Sequence, residues 1–426
     1  MRVLYLTTDF GIPVFANKGA AVHVREMCNA FSRTGHAVLL VAPVRGDRRQ
    51  ALSADVRVLE PERRHARAAA EIRAAGGPHH LAEEVRSLMY AASLPRRLQA
   101  LLADFRPELV YERHALFGGA GAVVARRLGI PHFLEVNAPL CHEQAAFRSL
   151  ALPATAAAAE GEALAAADRV LCVSRGLADW AKSHNVAPDK LTVLPNAVAI
   201  DDFRPRPTST ASRGPLPHLG RAAPPSRWLQ IAAPTLGFVG SLKPWHGTDQ
   251  LLRAAASLGR AGRSVKVLVV GHGPERRSLA ALAGELGIAD ATHFAGAVAH
   301  ELVPPLLHLM DVAVAPYPAA PEGTAGFYFS PLKLFEYMAA ALPVVAADAG
   351  QMREVVSQGT TGWLYEAGDS AALAAALAAV LGDEEEAVRV GAAAREYVVH
   401  NHSWRGNARR VIELARSVPR QGPVAA

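Results

Sequence analysis

Cysteine is scarce in this chain: Cys28, Cys141 and Cys172 are the only 3 in 426 residues, and no CxxC spacing links them. That excludes a disulfide framework and a cysteine zinc cage, and it fits reduced thiols in a cytosolic protein. No run of eighteen or more apolar residues is free of charge, so no membrane span is expected, although peripheral membrane contact stays compatible. The first apolar run, Val3 to Leu6, gives way at once to Thr7, Thr8 and Asp9. It is too short for a signal-peptide core and reads as a first strand. Neither sign of charge dominates. With 45 Lys and Arg against 39 Asp and Glu, the net +6 is spread over the whole length, too thin for a nucleic-acid footprint, and no DNA or RNA partner is expected. GxGxxG is also missing, so a dinucleotide fingerprint is not supported.

What is present is a globular balance, 50% hydrophobic and 20% charged, in a chain long enough for two domains. Short apolar runs alternate with helical periods, the pattern of strands joined by crossover helices in a mostly parallel sheet. In the first half this predicts strands near 3–7, 37–41, 109–111, 132–136, 170–173 and 191–194, with helices near 20–33, 84–103, 118–128, 160–167 and 176–184. The rhythm repeats with strands near 235–239, 265–270, 292–295, 312–315 and 344–346. Two similar α/β domains follow, 1–198 and 199–403. Between them, 201–228 is rich in Pro, Ser, Gly and Arg without periodicity, which predicts an exposed linker or insertion. The segment 62–106 carries 8 Arg against 5 acidic residues. It reads as a solvated helical face, with an anionic acceptor or a lipid headgroup as the alternative.

Several loops between strand and helix carry the residues that chemistry needs. After the first strand, DFGIPVFANKGAAVHVREM places Gly11 and Gly19 ahead of a helix, a turn that suits an anion at the helix start and equally suits an ordinary connection. In LGFVGSLKPWHGTDQLL, Lys243 and His246 share a turn with Gly240 and Gly247, apt for a phosphate at a sheet end. VLVVGHGPERRSL sets Gly271, Gly273 and Pro274 between strand and helix, which turn chemistry explains equally well. In GFYFSPLKLFEYMAAALPVVAADAG a helix starts near Pro331 and puts Lys333 and Glu336, three apart, on one face. Cation and helix dipole both favour an anion there, and Glu336 can accept hydrogen bonds from sugar hydroxyls.

With those residues in view the chain resembles the retaining GT-B glycosyltransferases of family 4. The similar pieces, in order, are KGAAVHVREMCNAFSRTGHAV, VYERHALFGGAGAVVARRLGIP, VLPNAVAIDDFRP, FVGSLKPWHG, VVGHGPE, HFAGAV, FSPLKLFEYMAAALPVV and SWRGNARRVIEL. The resemblance implies two Rossmann-like β/α/β domains facing each other across a cleft, a nucleotide sugar on the second, an acceptor entering from the first, and closure about a hinge at 196–204. It also implies that the last helix, within 404–426, crosses back to the first domain.

It further implies site residues. Pro331, Leu332 and Lys333 match the segment whose amides approach the donor diphosphate, and Glu336 matches the ribose-binding carboxylate. Eight positions earlier, Tyr328 stands where a donor-sugar Glu is expected, and Glu322 can replace that Glu only if its loop folds back. Ser241 and His246 stand at the positions of the family's phosphate-gripping Arg and Lys, which leaves Lys243 and Lys333 to supply positive charge; a His beside a diphosphate can also be held protonated. Phe294 and Gly296 match a nucleobase contact, while Gly240, Gly271 and Gly19 match loops near the donor. On the acceptor side stand His114 and Asn137, and Glu135, which either points into the cleft or pairs with an Arg. His23 and Glu26 read as structural.

The implied reaction moves a sugar from a nucleoside-diphosphate donor, a UDP-sugar or GDP-sugar, to a hydroxyl of a sugar, lipid-linked glycan or small molecule, with retention. It needs no cofactor and no metal, consistent with the lack of an Asp-x-Asp motif. A role in glycan, polysaccharide or glycolipid synthesis at or near the cytoplasmic membrane face follows from the family. Rival readings are a GT-B nucleotide-sugar epimerase or phosphorylase and a catalytically degenerate nucleotide-sugar-binding partner subunit.

Overall fold

Uninterrupted apolar runs make the central strands. In Arg2–Thr7, every residue after the first is buried, the signature of a strand covered on both faces in a parallel sheet. The computed structural model describes residues 1–46, 51–206, 217–319 and 327–419. The described residues divide into two compact units: one holds Met1–Pro195, Tyr328–Ser330 and the chain from Trp404 onward, the other Asn196–Phe327 and Pro331–Ser403.

The first unit carries seven strands, β1 Arg2–Thr7, β2 Ala37–Ala42, β3 Asp55–Val58, β4 Leu109–Arg113, β5 His132–Val136, β6 Arg169–Cys172 and β7 Leu191–Val193. All neighbours are parallel and the order is β3-β2-β1-β4-β5-β6-β7. Val3 pairs with Val38 on one side and Leu109 on the other. Leu4, Leu6, Leu39, Val41 and Val110 form the core beneath the helices. The helix Gly19–Arg33 buries ten residues, and the late helix Trp404–Ser417 packs on it, with the Trp404 ring 4.8 Å from that of His23.

The second unit has six strands, β8 Thr235–Val239, β9 Lys266–Val270, β10 Thr292–Gly296, β11 Val312–Ala315, β12 Val344–Ala347 and β13 Trp363–Tyr365. Their order is β10-β9-β8-β11-β12-β13, again parallel throughout. This is the GT-B architecture of two Rossmann-like sheets. Both edge strands absent from the sequence reading, β3 and β13, are three or four residues long and only part-buried, which is why no apolar run announced them.

Three further departures bear on the site. The helix expected over 84–103 is two, His79–Arg97 and Gln99–Phe105, and a helix not foreseen, Leu140–Phe147, follows β5. The stretch 201–228 is no bare linker where it is described. Trp228 near its end is 2% exposed, donates its indole N–H to the Ala291 carbonyl at 2.9 Å and carries Lys266 Nζ 4.5 Å from its ring centre. A large aromatic with a partnered N–H makes core out of an otherwise polar segment. Among the described residues no helix is long and apolar enough to cross a membrane.

Candidate functional site

In the second unit the strand order changes direction between β8 and β11, and the connections leaving those two strands diverge, the place where open α/β sheets collect ligands. The β8 connection carries Gly240, Ser241, Lys243 and His246; the β11 connection carries Tyr317. The helix Leu332–Ala339, whose first turn begins after Pro331, brings Lys333 to the same end of the sheet. Lys333 is 8% exposed. Its Nζ lies 4.3 Å from the centre of the Phe238 ring and 5.0 Å from that of Tyr317, with no hydrogen-bond acceptor among the described residues. Burial pulls its pKa from 10.5 down to about 7, with Glu336 acting in the opposite sense. An amine so placed takes up an anion readily, because the anion supplies the missing partner.

His246 is arranged differently. Its Nδ1–H donates to the Ser241 carbonyl, which fixes one neutral tautomer. Burial, then the charge of Lys333, lowers its pKa to about 3, so the imidazole is neutral near pH 7 in the unliganded site. The cation here is therefore a lysine. Lys243 is half-buried, with Nζ 5.5 Å from the Trp245 ring centre. One turn into the helix, Glu336 accepts from His300 Nε2 at 2.8 Å. His300 carried no signal in the sequence; only folding brings it to Glu336. Phe294 stacks under the Arg276 guanidinium at 4.0 Å, and Gly296, with φ +74°, accepts from the Gly271 amide at 2.8 Å.

Two glycines set how closely these connections approach. Gly271 has φ +137°, and a Cβ there would lie 1.8 Å from the Gly240 carbonyl oxygen; a Cβ on Gly240 would lie 2.8 Å from Lys333 Nζ. Gly271→Ala is expected to lower stability by about 2 kcal/mol or more, since backbone must move to admit the methyl group. Thermal unfolding of the variant beside the wild type checks this.

In the first unit the polar residues toward the ends of β4 and β5 satisfy one another. Glu135 is 2% exposed and accepts from His23 Nε2 at 2.8 Å, Arg113 at 2.7 Å, the Tyr111 hydroxyl and the Asn137 amide. Burial alone would raise its pKa; His23, Arg113 and Tyr111 overcome this and hold it to about 2. Of the two alternatives for Glu135, the arginine pairing is the one realised. His114 is buried with Nε2 3.6 Å from Glu160, and burial lowers its pKa despite that carboxylate. Gly19 is the first residue of its helix.

Beside this network lies a cavity of about 310 Å³, lined from the β1 connection by Thr8, Asp9 and Phe10, from the β4 connection by Ala115, Leu116 and Phe117, and from two helices by Glu83, Glu84, Arg86 and Glu143. It sits where the first sheet's order changes direction, between β1 and β4. None of His114, Glu135 and Asn137 lines it. Asp9 and Phe10 enter the site beside Gly11 without having been singled out in the sequence, where their place soon after the first strand is the available signal. Tyr328 donates its hydroxyl to Glu143, and its carbonyl accepts from Ser174. Glu322 lies outside the described residues.

Comparison with known proteins shows the family. Residues 17–202 match the profile described as Glycosyltransferase Family 4, and residues 233–383 match that of Glycosyl transferases group 1. The chain belongs to glycosyltransferase family 4. A relative named GDP-mannose-dependent alpha-(1-6)-phosphatidylinositol monomannoside mannosyltransferase, from Mycobacterium tuberculosis, is 31% identical over 230 residues, which is 53% of this chain and 56% of that protein. A D-inositol 3-phosphate glycosyltransferase of Streptomyces coelicolor is 31% identical over 312 residues, 69% of this chain and 66% of that one. The chain thus spans little more than half the length of the mannosyltransferase it matches.

Among solved structures, sucrose-phosphate synthase from Thermosynechococcus elongatus superposes with a TM-score of 0.70 at 19% identity, covering 97% of this chain and 98% of that one. HepE of Anabaena, solved in complex with UDP-glucose, gives 0.69 at 18% identity over 98% and 100%. Both likenesses concern the fold. The FSPLKLFEYM segment, with Lys333 and Glu336, falls within the second matched span, while the Phe238 and Tyr317 rings beneath Lys333 become visible only in three dimensions.

Proposed function

We propose that this family 4 member is a retaining glycosyltransferase that moves a hexose from a nucleoside diphosphate to a hydroxyl acceptor. The observation that carries the reading is the buried amine of Lys333, without a hydrogen-bond partner among the described residues and seated on two aromatic rings at a helix start where the second sheet changes direction. A donor diphosphate supplies the anion this group lacks, and Lys243 on the β8 connection adds a second positive charge. Glu336, held by His300, takes the ribose hydroxyls. Names of relatives and neighbours favour GDP-mannose or UDP-glucose as donor and an inositol bearing a phosphate ester, free or in a phosphatidylinositol mannoside, as acceptor type.

In the transfer, the bond between the anomeric carbon and the diphosphate oxygen breaks while a bond to the acceptor oxygen forms on the same face. The acceptor's proton passes to the departing phosphate. What the protein contributes is fixed positive charge aimed at that phosphate in a site with little water, worth more there than in solution. Glu336→Ala is expected to reduce turnover at least about tenfold, roughly 1.4 kcal/mol of transition-state stabilisation. Nucleotide release from donor plus acceptor, measured beside thermal stabilisation by uridine and guanosine diphosphate sugars, tests the whole reading. Stabilisation without transfer or slow donor hydrolysis would favour the binding-subunit alternative instead.

A further inference from the structure

We infer that His300 is a positioning residue whose hold on Glu336 keeps that carboxylate from neutralising Lys333, so that cation and carboxylate both stay open to the donor. The inference rests on the transferase reading, in which Lys333 meets the diphosphate and Glu336 the ribose, and adds the device that keeps the two apart.

Lys333 and Glu336 lie three positions apart on one helix, the spacing at which a lysine and a glutamate ordinarily meet. Both are 8% exposed. A buried charge without a partner is costly, so pairing would relieve each of them. The pair is nevertheless not made, because Lys333 Nζ has no hydrogen-bond partner among the described residues. Glu336 is the one carboxylate acting on Lys333 among those residues, and it acts through space, opposing the effect of burial. The other titratable groups at this end of the sheet, Lys243 and His246, are bases and offer the ammonium no anion.

Two sets of contacts hold the pair open. Lys333 Nζ is seated against the Phe238 and Tyr317 rings, close enough to the β8 connection that a Cβ on Gly240 would lie 2.8 Å from it. Glu336 Oε1 is taken instead by His300 Nε2 at 2.8 Å. His300 opens the short turn His300–Leu302 after β10, and its ring lies 5.5 Å from that of Phe203. Phe203 is 1% exposed, and its carbonyl accepts from Arg395 Nη1 at 2.8 Å. The same nitrogen donates to the Ala339 carbonyl at the end of the Lys333 helix. His300 therefore packs on a residue that is fastened to the helix it steers. Without the imidazole N–H, the nearest partner for the buried carboxylate is the ammonium one turn back. A diphosphate would then have to break an ion pair before binding. Held apart, the two charges await a ligand that joins an anion to hydroxyl donors, as a nucleoside diphosphate does.

The test combines two readouts on the full chain. In calorimetry with UDP and GDP, His300→Leu, which keeps an apolar contact for Phe203 but has no donor, is expected to weaken binding at least about tenfold. His300→Gln, which restores an N–H, should stay within about threefold of the wild type. In a Glu336→Ala background His300→Leu should change nothing further, since His300 acts through that carboxylate. The second readout needs no ligand. Lys333→Met is expected to raise the urea midpoint of the wild type and to lower that of His300→Leu, where it strips Glu336 of its new partner. His300→Ala, with the same signs expected, takes the place of the leucine variant if that one does not fold. The inference is overturned if Lys333→Met raises the midpoint in both backgrounds. It is equally overturned if His300→Leu binds the nucleotides as the wild type does, or weakens them alike with and without Glu336. If the wild type binds neither UDP nor GDP, the transferase reading has failed, and the sign reversal in urea alone decides whether His300 keeps the pair apart.

Discussion

Lys333→Met is expected to lower kcat/KM on the order of a hundredfold, about 2.7 kcal/mol, while making the folded protein more stable by about 1 kcal/mol. The two effects have one cause. Methionine has nearly the length of lysine and no charge, so it fills the space between Phe238 and Tyr317 without asking for a partner. The ammonium does ask for one, and among the described residues none is provided. Loss of the cation–π contacts at 4.3 and 5.0 Å works against the gain in stability, which is why the stabilisation is small. A merely structural lysine would show the opposite pattern, with stability falling and turnover following it.

The pH dependence carries a second signature of the same residue. With a pKa near 7 in the fold and 10.5 ordinarily, Lys333 sheds a proton on folding between those values. The unfolded chain binds more protons there, so its contribution to stability improves as pH rises from about 7 toward 10.5 and is least favourable below 7. The stability advantage of Lys333→Met should shrink over that window. Binding a diphosphate reverses the burden, since the anion favours the ammonium. Titrating nucleoside diphosphate at pH 8 should therefore take up protons, seen as a binding enthalpy that varies with buffer ionisation enthalpy, and the variant should lose that dependence. A binding enthalpy indifferent to buffer would remove Lys333 from the diphosphate site.

Glu135→Ala is expected to destabilise the first unit by about 3–5 kcal/mol, the usual result of removing one side of a buried ion pair. Arg113, 7% exposed, would keep its charge without its partner, and His23, Tyr111 and Asn137 would each lose an acceptor. The pKa of about 2 fixes the sign of the acid response. A carboxylate depressed in the fold contributes stability that is complete above its unfolded pKa and disappears as pH falls toward 2. Acid unfolding of the wild type should accordingly steepen below about pH 4.5, with a shallower curve for the variant. Urea unfolding followed at pH 7 and pH 4 gives both numbers. Equal loss of activity and stability in this variant would fit its saturated position, away from the cavity wall.

How much was legible beforehand differs between the two sheets' interiors and their rims. Parallel central strands such as β1 and β9 are buried on both faces along Val3–Leu6 and 267–270, so those runs must be apolar, and a run of Val and Leu betrays them. Edge strands β3 and β13 face solvent and carry no such requirement. The helix Leu140–Phe147 buries none of its residues, so no apolar period marked it, yet it brings Glu143 to the cavity. Lys333 and Glu336 were legible because three positions on one helix fix their common face. His300, 36 residues from Glu336, was not, since that pairing depends on how β10 and its following turn lie against the helix.

From the sequence alone came the two β/α units, the family, and the short helix that presents a lysine and a glutamate together, because each depends on local spacing and on which residues must leave water. Tertiary structure alone decided that Glu135 is saturated by four neighbours, that His246 is neutral and Lys333 the available cation, and that Asp9, Thr8 and Glu143 share a cavity. Those outcomes depend on distances between segments far apart in the chain, and on the loss of water around each charged group, which no spacing along a chain encodes.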